Sequence, residues 1–254
     1  MNQFGHLYAQ YYDLLYRDKD YVAEVEYING LIKTYKDDAS TILDLGCGTG
    51  KHAELLCDAG YRVHGIDISV DMLEVAAQRR LGKESQLSFS HDNIQKLALN
   101  QNFDAVISLF HVMSYQNSNP ELMNAFQVAK EHLVNGGIFV FDFWYAPAVL
   151  TDLPTTRIKR LENESIRVTR LAEPVIHPQE NIVDVNYDVF IQDKKTLEVV
   201  EKKELHKMRY LFDTELELIC EQIGFEILNK FKWMNETSPS LDSWNVVWVL
   251  RKKY

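Results

Sequence analysis

The sequence predicts an α/β fold, a Rossmann-like doubly wound sheet carrying an antiparallel β insertion. Three observations support this: a buried apolar strand, Thr41-Ile42-Leu43-Asp44-Leu45, running into Gly46-Cys47-Gly48-Thr49-Gly50; strand and helix signals alternating from there to residue 143; and a stretch from Thr156 to Phe212 that alternates with period two and contains no helix signal.

Taken in order, residues 1–19 are rich in aromatics, and Tyr8, Tyr11, Tyr12 and Leu15 recur at helical spacing. Asp20 reads as the N-cap of a helix through Tyr35, with Val22, Val25, Ile28, Leu31 and Ile32 on its apolar face. After the glycine turn, Lys51 to Ala59 reads as a helix with Gly60 at its C-terminal end. Tyr61–Ile66 is a second strand ending at Asp67, Asp71–Arg80 a helix, Gln86–His91 a third strand ending at Asp92, and Phe103–Leu109 a fourth. Asn119-Pro120 reads as N-cap and first helical residue of a helix to Leu133, stopped by Gly136-Gly137; Ile138–Phe143 is the fifth strand. The insertion shows runs at Ile166–Arg170, Ile182–Phe190 and Leu205–Leu211, with Asn163, Pro174, Pro178 and Asp193-Lys194-Lys195 as turns. A helix from Asp213 to Ile223 capped at Gly224, a strand Phe225–Trp233 and a last strand Asn245–Leu250 return the chain to α/β. Residues 1–155 and 213–254 are therefore assigned to one core, and 156–212 to an insertion expected to form part of the acceptor site.

Composition limits the function. With 254 residues, a net charge of −10 and a pI near 5.3, the chain lacks the basic footprint of a nucleic-acid surface. Cys47, Cys57 and Cys220 are too few and scattered for a disulfide framework or a zinc site, so no metal is expected. Met1 to His6 lacks a signal-peptide pattern, and the most apolar stretch, Ile138–Leu150, is too short to span a bilayer, so a cytoplasmic protein without a membrane partner is expected.

The glycine turn, with positive φ available and a helix N-terminus behind it, makes a pocket floor. Asp67 stands about 20 residues after the glycines, where a carboxylate accepts ribose hydroxyls. Asp92 and the backbone N–H of Asn93 are suited to an adenine edge, and Leu109-Phe110 to covering a flat ring. The spacing is G-x-G-x-G rather than the G-x-G-x-x-G of dinucleotide folds, and Asp44 beside it suits an ammonium better than a diphosphate. An NAD-type oxidoreductase and a noncatalytic cofactor-binding protein are the competing readings.

Asp44–Gly50, Asp67, His91-Asp92-Asn93 and Phe103–Val106 resemble the motif series of class I S-adenosylmethionine-dependent methyltransferases. The resemblance implies a seven-stranded sheet with its last strand antiparallel, S-adenosyl-L-methionine as cofactor and S-adenosyl-L-homocysteine as product. It puts Gly46 and Gly48 against the methionine part, Asp67 at the ribose, and Asp92 with Asn93 at the adenine; Asp44, Cys47, Ile68 and Leu109 complete the expected contacts. A narrower resemblance, through Tyr12–Tyr16, Lys19-Asp20-Tyr21, Leu109-Phe110, Ser114-Tyr115 and Asp142–Pro147, is to N-methyltransferases of nucleotide-linked 3-amino-deoxysugars. It implies that Tyr12 and Tyr21 help hold the cofactor and that Phe4, Trp144, Tyr145 and Pro147 contact the substrate. That family's catalytic histidine falls at Tyr115 here, and its substrate-binding arginine has no match in Ser240–Asn245. His111 and Tyr115 are the candidate catalytic residues, and Asp142 either orients the acceptor or caps a turn. The expected acceptor is a small molecule, an amino-sugar amine or another small metabolite methylated on N or O; a homodimer is left open.

Overall fold

The computed structural model describes residues 11, 14–17 and 19–253. The elements are α1 (Tyr21–Tyr35), β1 (Thr41–Leu45), α2 (Lys51–Asp58), β2 (Arg62–Asp67), α3 (Val70–Arg79), β3 (Leu87–His91), β4 (Phe103–Ser108), a 3-10 turn (Val112–Tyr115), α4 (Asn119–Glu131), β5 (Leu133–Tyr145) and α5 (Ala146–Thr151). They continue with β6 (Arg157–Glu162), β7 (Ile166–His177), β8 (Ile182–Asp193), β9 (Val199–Leu211), α6 (Asp213–Ile223), β10 (Phe225–Lys232) and β11 (Asn245–Lys252). The chain forms two units, Tyr21–Asp152 with Tyr210–Tyr254, and the segment up to Asp20 with Leu153–Arg209.

In the first unit the strand order is β3-β2-β1-β4-β5-β11-β10. The first five pair in parallel, and β11 runs antiparallel to both β5 and β10. This is an α/β architecture on a mixed sheet with a parallel centre. β1 is buried at all five positions, as a central strand covered on both faces must be. Leu43 and Leu45 join one core layer with Phe126 of α4 and Leu216 of α6, while Ile42 joins the other with Ile28 and Ile32 of α1 and Leu56 of α2. Because β1, β2, β3, β4 and β5 are parallel, their C-terminal ends open on one edge, the place where such folds bind ligands.

Several expectations are corrected. The N-cap of α4 is Ser118, not Asn119: its hydroxyl accepts the Glu121 N–H and the Glu121 carboxylate accepts the Ser118 N–H, closing a capping box. Gly136 and Gly137 do not precede β5 but lie within it. Phe103 pairs with Leu133 and Ala105 with Ile138, so the glycines form a bulge, with Gly136 at φ +74° and Gly137 against the Asp104 carbonyl.

In the second unit β6, β7, β8 and β9 form an antiparallel meander. Ile166 and Val168 of β7 share a face with Val189 and Ile191 of β8, and Tyr11, Leu14 and Leu15 pack on them. β6 has no sequence signal, being exposed at nearly every position, as an edge strand can be. Pro174 is not a turn but lies inside β7; beyond Ala172 that strand has no partner on the β6 side, and an open edge tolerates a missing N–H.

Candidate functional site

The glycine turn is anchored on β2, with the Gly46 and Cys47 N–H groups both donating to the Ile66 carbonyl at 2.8 and 2.9 Å. Its glycines serve different ends. A Cβ on Gly46 (φ +82°) would lie 2.6 Å from both methyls of Val112, whereas one on Gly48 (φ +55°) would meet nothing within 4 Å. Gly46 is required by packing; Gly48 leaves bare backbone open. Cys47 is buried and covers Gly65, whose Cβ position is 2.8 Å from its Sγ, and burial raises its thiol far above the ordinary range, so it is a packing group rather than a nucleophile.

Asp67 braces this turn from the end of β2. Its Oδ2 accepts the Gly48 N–H at 2.7 Å and its Oδ1 the Ser69 N–H at 2.8 Å. Each oxygen retains a second lone pair, so the carboxylate still accepts from a ligand's hydroxyls. Ile68 is exposed beside it, and its carbonyl is 2.9 Å from His91 Nε2. Asp92 is exposed at the next strand end; its Oδ1 takes the Asn93 N–H at 2.7 Å, the group expected to read an adenine, and Asn93 Oδ1 takes the Gln95 N–H at 2.8 Å.

Asp44 is the anomaly of the region. It is 2% exposed, its Oδ2 has no hydrogen-bond partner, and burial, reinforced by the Asp67 charge, pushes its carboxyl up to about 7. A buried carboxylate without a partner is costly, and a cationic group delivered by a ligand removes the cost.

Further along the same edge, Ser108 Oγ donates to the Leu45 carbonyl at 3.0 Å, tying the end of β4 to that of β1, and Leu109 is buried. Phe110 and His111 then adopt left-handed φ of 66° and 64°, uncommon for non-glycine residues. Asp142 of β5, 1% exposed, holds this turn: its Oδ1 accepts the His111 N–H at 3.1 Å, and its Oδ2 lies 2.7 Å from His111 Nδ1, off the axis of a ring N–H bond. The Trp144 N–H donates to Ser114 Oγ at 3.0 Å, and the Trp144 ring is 6.4 Å from that of His111 and 5.4 Å from that of Trp244. Tyr115, 42% exposed, ends the 3-10 turn.

The structure thus brings His111, Asp142 and Trp144 together, and Gly46, Gly48, Asp44 and Asp67 together. Tyr145 goes elsewhere. Strand alternation turns its side chain to the other face, where burial and the nearby Asp213 charge raise its hydroxyl above the ordinary range. Pro147 sits in the first turn of α5. Tyr21 heads α1, its ring 5.0 Å from that of His52, whose Nε2 is 2.7 Å from Glu24. Phe4 and Tyr12, expected at the substrate and the cofactor, lie outside the described residues. Sequence reasoning missed Val112 and Trp244, which carry no motif, and gave no role to Ser114 of the Ser114-Tyr115 pair; Ser69, two residues after Asp67 and before an apolar run, carried a readable N-cap signal. Among the described residues there is no cluster of three or more metal-ligating side chains, and no helix is long and apolar enough to cross a membrane.

These groups fit S-adenosylmethionine: an orphaned acid for an ammonium, open backbone at Gly48, and spare acceptor capacity on Asp67. Residues 42–137 match the methyltransferase domain family. A dTDP-3-amino-3,4,6-trideoxy-α-D-glucopyranose N,N-dimethyltransferase of Streptomyces venezuelae is 34% identical over 57% of this chain and 60% of its own length. A dTDP-3-amino-3,6-dideoxy-α-D-glucopyranose N,N-dimethyltransferase of Streptomyces fradiae is 28% identical over 73% of this chain and 72% of its own. Among solved structures, an S-adenosylmethionine-dependent methyltransferase from Clostridium acetobutylicum superimposes with a TM-score of 0.83 at 20% identity, covering 100% of this chain and 99% of that one. Nothing in these likenesses supports an oxidoreductase. The chain carries a methyltransferase domain over residues 42–137 and has the fold of an S-adenosylmethionine-dependent methyltransferase.

Proposed function

We propose that the protein methylates the amine of a nucleotide-linked amino sugar. The observation that carries the methyl-donor half is Asp44, a buried carboxylate whose Oδ2 has no hydrogen-bond partner among the described residues. Two relatives named as N,N-dimethyltransferases of dTDP-linked amino sugars support the acceptor half. So does the pairing of an aromatic wall, Trp144 with Trp244, and an imidazole, His111, beyond the end of β4.

In this reading Asp44 pairs with the donor's ammonium, Gly46 and Gly48 let its chain lie on bare backbone, and Asp67 accepts the ribose hydroxyls. Asp92 and Asn93 border the adenine, Cys47, Ile68 and Leu109 are further cofactor contacts, and Tyr12 and Tyr21 help hold the cofactor. Bound S-adenosylmethionine supplies an electrophilic methyl on a good leaving group. The chain has little covalent chemistry left to do: it holds the acceptor nitrogen at about 3–3.5 Å in line and receives its proton. His111 is the proton acceptor, and Trp144, with Phe4 and Pro147, contacts the sugar nucleotide.

A labelled-methyl assay with dTDP-linked amino sugars, the same sugars bearing hydroxyl in place of amine, and simple amines tests the proposal. Label should appear on the amino sugars and depend on the amine. Equal labelling of the hydroxyl analogues would sink the N-methyl reading, and labelling confined to simple amines would sink the sugar.

A further inference from the structure

The turn after β4 is built at an energetic disadvantage, because Phe110 and His111 are consecutive non-glycine residues in the left-handed region. Such conformations persist where surrounding contacts over-determine them, and they cluster at functional sites. Three contacts hold this one. Asp142 takes the His111 N–H, Ser114 Oγ takes the Trp144 N–H, and the methyls of Val112 fill the space that a Cβ on Gly46 would occupy. The first is the unusual one, since it places a carboxylate that is 1% exposed behind an imidazole, with Nδ1 2.7 Å from Oδ2.

We propose that Asp142 is the positioning residue for His111. Its Oδ1 fixes the strained backbone, and its Oδ2 keeps the ring proton on Nδ1, leaving the lone pair on Nε2 for the acceptor. The inference rests on the amine-methylation reading above. The proton balance is simple: the acceptor ammonium gives one proton to Nε2, leaving a neutral amine with a free electron pair and an imidazolium whose positive charge faces Asp142. The misalignment at Nδ1 is what ligand-free sites often show, such bonds tightening when substrate arrives.

The test compares Asp142→Asn, His111→Gln and the double variant, using S-adenosylhomocysteine affinity as the measure of an intact fold. An asparagine oxygen still accepts the His111 N–H, but its amide offers a donor to Nδ1 and so drives the ring proton onto Nε2. Asp142→Asn should leave S-adenosylhomocysteine affinity within about threefold and lower kcat by about 10²–10⁴, the usual range for losing a general base, with KM changing much less. His111→Gln should lose as much, and the double variant no more than His111→Gln alone, because a residue acting through another is silent once that other is gone. Additive losses, or an Asp142→Asn enzyme within twofold of the parent, would overturn the proposal. A second arm needs neither variant nor acceptor: the ¹⁵N–¹H spectrum of the unaltered protein should show neutral His111 protonated on Nδ1. A proton on Nε2 would overturn the proposal even if Asp142→Asn failed to fold. Should no amino sugar accept methyl, the amine reading falls while the tautomer result still decides the role of Asp142.

Discussion

Asp44 and Asp142 point to the same face of the parallel sheet. Asp44 pairs with Ile107 of β4, Ile107 pairs with Val140 of β5, and Asp142 is two residues further along β5. Both are nearly inaccessible, at 2% and 1% exposure. Asp142 has its partner within the chain, the backbone and ring of His111, whereas Asp44 has an oxygen with none. The contrast separates two uses of a buried acid. One organises the protein's own imidazole; the other is suited to a cation that a ligand brings.

The largest expected effect tests that division directly. Asp44→Asn should weaken S-adenosylhomocysteine binding by about 3–5 kcal/mol, about two to four powers of ten, because the ligand's ammonium is left buried without its partner. Calorimetric titration measures it, and a loss below tenfold would mean that Asp44 is not the ammonium's site. Asp142→Asn should leave the same titration nearly unchanged.

A pH series sharpens the comparison. Burial raises the Asp44 carboxyl to about 7 in the folded ligand-free chain, above its value when unfolded. Its contribution to stability is therefore fully present at pH below the unfolded carboxylate range and is lost as pH rises to about 7. Ligand binding requires the ionised form, so S-adenosylhomocysteine affinity should fall below about pH 7, by at most about tenfold per unit, and Asp44→Asn should abolish that dependence. A flat affinity profile between pH 5 and 8 in the parent protein would contradict the assignment.

The two glycines beside Asp44 divide in the same way. Gly46→Ala should destabilise the fold by roughly 2–4 kcal/mol, combining a left-handed Cβ with displacement of Val112. Gly48→Ala carries only the conformational part, about 1–2 kcal/mol, and should show itself mainly as weaker cofactor binding. Thermal melts with and without S-adenosylhomocysteine distinguish the two; equal destabilisation would mean that Gly48 is not open to ligand. The smallest effect is expected at the neighbours Trp144 and Tyr145. Tyr145→Phe should leave acceptor KM unchanged, because its hydroxyl faces Asp213 on the other side of the strand, whereas Trp144→Ala should raise that KM.

Much of this region was readable before any coordinates. Apolar periodicity located β1 to β4, and with them the glycine turn, Asp67 and Asp92 at strand ends, because backbone hydrogen bonding and burial impose those periods locally. The errors were of a different kind. Gly136-Gly137 signals a break, and only the register between β4 and β5 makes it a bulge inside a strand. Pro174 signals a turn until the unpartnered edge of β7 accommodates it. Trp144 and Tyr145 look equivalent in an aromatic run, although strand alternation alone was enough to send them to opposite faces.

The sequence by itself determined the alternation of elements, the glycine turn and the acids around it, since these depend on residue type and short spacing; the class of methyl donor follows from the family resemblance that those motifs carry. Which acid lacks a partner and which has one was decided only by tertiary structure. His111 and Asp142 are 31 residues apart, and their contact exists because β4 and β5 are neighbours in the sheet. Asp44 Oδ2 is buried in the sheet with no hydrogen-bond partner among the described residues. Burial and pairing are properties of the packed sheet, and no local pattern encodes them.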